Sequence, residues 1–85
     1  MEQVQKYDAE YYNRSAVNKF FHRQFQGAII DYSKALYLIG DDAVIYFSRA
    51  LAHLEMNQTN HARADFMKAK DLGFPIPDEF LDKCK

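Results

Sequence analysis

Residues 8–38 read DAEYYNRSAVNKFFHRQFQGAIIDYSKALYL, and residues 42–72 read DAVIYFSRALAHLEMNQTNHARADFMKAKDL. Aligned without a gap, so that Asp8 meets Asp42, these stretches share ten identities in 31 pairs. Ordinary composition would give roughly two by chance. The identical pairs are Asp8/Asp42, Ala9/Ala43, Tyr12/Tyr46, Ala16/Ala50, Gln24/Gln58, Ala28/Ala62, Asp31/Asp65, Lys34/Lys68, Ala35/Ala69 and Leu38/Leu72. The chain therefore contains two copies of one structural unit.

Each copy carries the pattern of amphipathic helices. Between Ala28 and Ile39 the apolar residues recur at helical spacing, which places Asp31 and Lys34 on the opposite, outer face. The second copy repeats this pattern and places Asp65 outside in the same way. The predicted fold class is all-α, with helices near residues 8–22, 25–39, 43–56, 59–72 and 78–84.

Residues at the helix ends fit these boundaries. Asp8 and Asp42 are predicted N-caps, and Asn57 suits the left-handed backbone of a tight turn. Gly73, followed by Pro75, ends the last long helix. At 85 residues the chain is one domain. Repeat 1 spans about 8–41, repeat 2 about 42–75, and a short helix about 77–85 covers the end.

Small residues predict where the paired helices cross. Both copies place one alanine in the middle of the first helix and two more, seven positions apart, on the second. Side chains of this size let helix axes approach closely. The alanines concerned are Ala16, Ala28 and Ala35 in the first copy, and Ala50, Ala62 and Ala69 in the second.

Composition and charge favour some functional classes over others. Lys and Arg number 11 against 12 Asp and Glu, with the signs mixed along the chain, which argues against nucleic acid as a partner. No apolar run is long enough to span a membrane, and no signal peptide is recognisable, so a cytoplasmic location is expected. Metal-ligand spacings and phosphate-binding glycine loops are absent from the sequence, so no cofactor is expected.

The period and several motifs resemble the tetratricopeptide repeat (TPR) family. Segments that carry the resemblance include Ala28-x-x-x-Tyr32 and Ala62-x-x-x-Phe66, together with Tyr12 and Tyr46 on the first helices. The resemblance implies an α-α superhelix whose first helices line a concave groove for a peptide or a partner helix. Six residues depart from the family pattern. Gly40 and Phe74 occupy the usual proline position, although Pro75 follows one residue later. Ser15 and Arg49 replace a leucine, and Lys19 and His53 replace an aromatic residue.

The tail continues the same register. The shift that takes Asp8 to Asp42 also takes Tyr46 to Phe80 and Ala50 to Cys84. The tail is therefore predicted to begin a third first helix that caps the array. On this interpretation Cys84 is a small buried residue rather than a nucleophile.

One predicted surface is the groove itself. The helix at 43–56 has a second apolar face of Val44, Phe47 and Leu51, and Val17 extends it in the first copy. The sequence leaves open whether Phe47 and Leu51 line the groove or belong to the core between repeats. Predicted groove residues are Asn13, Val17, Phe21, Val44, Phe47, Leu51, Asp78 and Asp82. The family's grip on a C-terminal carboxylate is missing, so a ligand would be apolar, or basic near the two aspartates.

The expected function is non-catalytic protein recognition. An alternative is a self-associating, homodimeric scaffold, because solenoid repeats bury their faces only on their neighbours. Tyr7, Tyr11, Phe21 and the tail helix are the candidate contacts for a second copy. On the groove interpretation, Phe47→Asp weakens binding and leaves the helices intact.

Overall fold

The computed structural model describes residues 8–84, and every regular element in that range is an α-helix. The helices are α1 (Ala9–Phe21), α2 (Phe25–Ile39), α3 (Ala43–Glu55), α4 (Thr59–Asp71) and α5 (Asp78–Asp82). Their ends agree with the predicted boundaries to within two positions. Helices α1 and α2 form unit 1, α3 and α4 form unit 2, and successive helices pack on one another. No described helix is both long and apolar enough to cross a membrane.

Equivalent polar residues begin the first helix of each unit. The Asp8 carboxylate accepts a hydrogen bond from the Tyr11 backbone N–H at 2.9 Å. The Asp42 carboxylate does the same for the Ile45 N–H at 3.1 Å. Each satisfies a backbone donor that has no partner within its helix, so the two predicted N-caps are confirmed.

The turns inside the two units also match. Arg23 and Asn57 occupy equivalent positions of the two copies, and both have left-handed backbones, with φ of 61° and 60°. In each turn the following N–H reaches back to the helix, from Gln24 to the Lys19 carbonyl and from Gln58 to the His53 carbonyl. The Asn57 turn was predicted, whereas Arg23 gave no sequence signal because arginine seldom adopts this conformation.

The core follows the small residues. All six alanines predicted at the helix crossings are completely buried. The core of unit 1 includes Tyr32 and Leu36 of α2 and also Ile45 of α3. Because Ile45 belongs to the other unit, the core of unit 1 extends across the boundary between the units.

Helix α5 covers unit 2. Phe80 and Leu81 pack against a core cluster that contains Ala50, Phe66 and Cys84. Cys84 is completely buried, as predicted, and burial raises the pKa of its thiol, partly offset by the nearby Arg63 guanidinium. Arg63 also donates a hydrogen bond to the Cys84 carbonyl. The tail is therefore tied to α4 by both apolar and polar contacts.

The sequence pattern predicts the wrong helix face for two aspartates. Asp31 and Asp65 were placed on the outer faces of α2 and α4, but both are buried against the first helix of their own unit. A helical wheel assigns charged residues to the solvent by default, and buried charges are rare unless they are paired. Both carboxylates have such partners.

Candidate protein-binding groove

The buried carboxylate of unit 1 has two partners on α1. The Ser15 hydroxyl donates a hydrogen bond to Asp31 at 2.7 Å, and the Lys19 ammonium lies 2.9 Å from the same oxygen. Burial by itself raises the pKa of the Asp31 carboxyl, but these partners together outweigh it and hold the pKa below its ordinary value. Gly27 leaves room for the Lys19 chain, because a Cβ there would lie 3.1 Å from Lys19 Cδ.

In unit 2 the equivalent buried carboxylate has different partners. Arg49 donates two hydrogen bonds to Asp65, from Nε at 2.7 Å and from Nη2 at 2.8 Å. These bonds raise the pKa of the Arg49 guanidinium. His53, in place of lysine, lies with Nε2 3.8 Å from Asp65 and stacks on His61, with ring centroids 5.1 Å apart.

Arg49 also joins the two units. Its Nη1 donates a hydrogen bond to the Ser33 hydroxyl of α2 at 3.0 Å, and Ser33 in turn donates to the Ile29 carbonyl. No buried side-chain polar atom in residues 8–84 lacks a hydrogen-bond partner. Such closed pairs hold the helices in register.

Four of the six departures from the family pattern are partners of these aspartates. Ser15 and Arg49 occupy one position, and Lys19 and His53 occupy the other. The sequence signal was available, because polar residues replace apolar ones at two positions and the aspartate is kept in both copies. The pairs can be predicted only when these substitutions and the aspartates are considered together, because neither position by itself indicates a buried ion pair.

An apolar cavity opens between α1 and α3. It has a volume of about 160 Å³, and we call it the α1–α3 groove. Its lining residues are Val17, Phe20, Phe21, Tyr32, Ser48 and Leu51. Burial raises the pKa of the Tyr32 phenol, and the neighbouring Ser48 hydroxyl only partly offsets this effect. The most exposed apolar side chain of the groove is Phe21, at 77%.

A second cavity, of about 510 Å³, lies one unit further along, beside α5. Its lining residues are Leu51, Leu54, Glu55, Asn57, Thr59, Phe80 and Lys83. Leu51, Leu54 and Glu55 are the unit 2 equivalents of Val17, Phe20 and Phe21, and Leu51 borders both cavities. The two cavities are therefore adjacent and occupy equivalent positions of successive units. The cavity beside α1 is mainly apolar, and the cavity beside α5 is more polar.

Three of the predicted groove residues meet in the α1–α3 groove: Val17, Phe21 and Leu51. Asn13 is half-buried on α1 and Val44 is exposed on α3, but neither borders the groove. Asp78 and Asp82 lie exposed on α5.

The packing of Phe47 corrects its assignment to the groove. Its ring lies within 5.6 Å of three phenylalanine rings, measured between centroids. These rings belong to Phe66, Phe74 and Phe80, on α4, the following loop and α5. Helix α5 therefore covers Phe47, so this residue belongs to the core and not to the groove. Leu51 packs against the same core and also borders the groove, so both alternatives hold for it.

The candidate contacts for a second copy of the chain do not lie together on one surface. Phe21 and Tyr11 are exposed on α1, at opposite ends of that helix. The tail helix instead turns Phe80 and Leu81 toward unit 2. Tyr7 lies outside the described residues.

No protein-family model matches the chain. A search of curated proteins and a search of solved structures likewise give no significant match. An assignment to a repeat family therefore depends on the residue pattern and on the helix arrangement of this chain. In residues 8–84 no group of three His, Cys, Asp or Glu side chains is placed to hold a metal ion.

Proposed function

We propose that this chain is a non-catalytic protein-interaction module of the tetratricopeptide type, which binds a peptide or a partner helix in the α1–α3 groove. Support comes from features that recur at equivalent positions of the two copies: the caps at Asp8 and Asp42, the turns at Arg23 and Asn57, and the buried carboxylates. The consecutive packing of four helices fits the superhelix that this family builds.

The observation that carries the proposal is the exposure of Phe21. A phenylalanine left 77% exposed forgoes most of the free energy that burial would supply. The equivalent position in unit 2 is Glu55, which is exposed and polar. Because the same helix position is filled by a charge in the other copy, folding does not require an apolar residue there. A binding partner that covers Phe21 explains its presence.

The groove defines the kind of ligand. Val17, Phe21 and Leu51 surround an apolar cavity of about 160 Å³, enough for one large side chain of a partner. The adjacent cavity beside α5 is lined in part by Glu55 and Lys83, and Asp78 and Asp82 are exposed on α5 itself. We expect a bound segment to place an apolar anchor against Phe21, with polar or basic residues on its α5 side.

A random-peptide display selection on the intact chain tests the proposal. We expect peptides with a large apolar residue to be enriched, and their binding to fall at least tenfold with Phe21→Glu, which installs the side chain found at this position in the other unit. Met67→Glu is the control, since it removes an exposed apolar side chain of α4 that borders neither this groove nor the cavity beside α5. The proposal would be overturned if none of the selected peptides bound Phe21→Glu more weakly than the unmodified chain.

Self-association through the same groove is the competing function. The exposed Phe21 ring is as well suited to a second copy as to a foreign partner. The two functions differ in the mass of the protein in solution, because only self-association produces a species larger than the 10.0 kDa chain.

A further inference from the structure

Helix α2 presents a second apolar surface, separate from the groove. A depression of about 480 Å³ lies along it, and we call this surface the α2 face. Its lining residues are Tyr12, Ile29, Ile30, Ser33, Lys34, Tyr37 and Leu38. None of them borders the α1–α3 groove. The two surfaces can therefore be occupied at the same time.

The exposed apolar residues of the α2 face are not needed for folding. Tyr37 is 88% exposed and Ile30 is 46% exposed. The equivalent residues on α4 are Asp71 and Ala64, and both are exposed as well. Unit 2 thus folds without apolar bulk at these positions. The difference between the copies marks the α2 face as a surface that serves another purpose.

A cation lies within this apolar surface. The Lys34 ammonium is 5.3 Å from the centre of the Tyr12 ring, and none of the ion pairs between described residues includes it. It interacts electrostatically with the buried Asp31 of α2, but Lys19 already pairs with that carboxylate. Its equivalent in unit 2, Lys68, lies 3.7 Å from the Asp41 carboxylate. The α2 face therefore offers a positive charge, flanked along the helix by Ile30 and Leu38, that a partner's carboxylate complements.

The same charge argues against a second copy as the occupant. A symmetric contact between two α2 faces brings together the same patch from both protomers. Lys34 lies in the middle of the patch and none of the lining residues is acidic, so the interface would enclose two ammonium groups without a carboxylate to pair them. Like charges in such surroundings oppose association.

We propose that the α2 face is a second protein-interaction surface, which binds an acidic, amphipathic segment of another protein. Apolar side chains of the segment cover Ile30, Tyr37 and Leu38, and an Asp or Glu carboxylate of the segment pairs with Lys34. This surface does not depend on the α1–α3 groove, so either one functions without the other.

The test uses a random-peptide library displayed against the intact chain. Counter-selection against the Ile30→Ala/Tyr37→Asp double variant, which installs the side chains found on α4, isolates the peptides that need the α2 face. We expect these peptides to contain Asp or Glu among apolar residues and to bind Lys34→Glu at least tenfold more weakly. We also expect Lys34→Glu to select peptides with Lys or Arg instead. Lys68→Glu is the matched charge-reversal control and leaves the binding unchanged.

Three results would overturn the proposal. The first is that no selected peptide distinguishes the unmodified chain from the double variant. The second is that peptides specific for the α2 face lack acidic residues or bind Lys34→Glu equally well. The third is a dimer of the unmodified chain that the double variant abolishes, because the occupant would then be a second copy. Circular dichroism of each variant checks that the helices remain.

Discussion

At the scale of single residues, the two units place a buried aspartate at the same position but pair it with different cations. Each buries an aspartate against its first helix and supplies a cation for it. Lys19 keeps its ammonium side chain 38% exposed beside Asp31, whereas Arg49 is 21% exposed and binds Asp65 through two nitrogens. The planar guanidinium fits a carboxylate better than an ammonium does, and it is also less hydrated.

Removal of the two carboxylates should therefore lower the free energy of unfolding by different amounts. We expect Asp65→Asn to lower the free energy of unfolding by about 3 kcal/mol, because Arg49 loses the partner of a largely buried charge. Asp31→Asn should lower it by about 1 kcal/mol, since Lys19 can turn toward water. Urea unfolding at pH 7 measures both. Equal losses, or a larger loss for Asp31→Asn, would contradict this description of the pairs.

The pH dependence of stability should carry a contribution from Asp31. Its folded-state pKa is below the ordinary value of 3.8, so its stabilising contribution is complete above that value and is lost as the pH falls through the lower, folded-state pKa. We expect the free energy of unfolding to fall less steeply between pH 5 and about 3 in Asp31→Asn than in the unmodified chain. Urea titrations at several pH values measure the two slopes. Identical slopes would contradict the assignment.

At the scale of helices, the sequence was sufficient for the boundaries. Capping by Asp8 and Asp42 is a local interaction, and so is the left-handed turn at Asn57, which is why all three could be predicted. Arg23 could not, since nothing local favours its conformation. The second turn has the same length and closure, so the packing of α1 on α2 imposes that backbone on Arg23.

The helix crossings give a prediction with an internal control. Ala62 is completely buried on α4, and Ala64, two positions later, is exposed. We expect Ala62→Leu to lower the free energy of unfolding by about 1–3 kcal/mol through overpacking. Ala64→Leu should change it by less than about 0.5 kcal/mol. Thermal and urea denaturation of the pair measure this difference, and similar values for both variants would refute close packing at the α3–α4 crossing.

Phe47 shows where helical periodicity stops being informative. The pattern correctly gives the direction of its side chain on α3, but it cannot say what covers that side. The answer depends on the path of the loop through Phe74 and on the position of Phe80, both set by tertiary packing. The same limit applies to Val17 and Phe21, which the pattern placed on a face without showing that the face stays open.

The corrected position of Phe47 reverses its expected phenotype. Phe47→Asp should now lower the free energy of unfolding by about 3 kcal/mol or more, because it removes three ring contacts and inserts a charge into the core of unit 2. The reaction of Cys84 with a thiol reagent should accelerate in parallel, since the thiol lies in the same core cluster.

Phe21→Asp is the matched control for this substitution, because the Phe21 ring is mostly in water. Its helix content and its thiol reactivity should stay close to those of the unmodified chain. A stable Phe47→Asp protein with an unreactive Cys84 would mean that α5 does not cover unit 2.

At the scale of the whole molecule, α2 and α3 join the units into one body. Ile45 of α3 enters the core of unit 1, Arg49 donates a hydrogen bond to Ser33, and Ser48 lines the same cavity as Tyr32. These contacts cross the boundary between the copies, so the core of unit 1 is complete only when unit 2 is present. The sequence repeat predicted that the units stack. It could not predict the polar contacts between them, because Ser33 and Met67 differ at that position.

Exposed apolar residues distinguish unit 1 from unit 2 on two surfaces. Phe21 in the α1–α3 groove corresponds to Glu55, and Tyr37 on the α2 face corresponds to Asp71. Both apolar residues are strongly exposed. A duplicated fold makes such differences informative, because one copy reports which residues the architecture requires. Both proposed binding surfaces therefore depend on side chains of unit 1 that unit 2 lacks.

The mass of the protein in solution, measured by light scattering from micromolar to millimolar concentration, tests the central claim most directly. A groove open to another protein predicts a single 10.0 kDa species throughout, for the unmodified chain and for Phe21→Asp alike. A species of twice that mass, which returns to the monomer with Phe21→Asp, would contradict the claim. The groove would then be the contact between two copies of this chain.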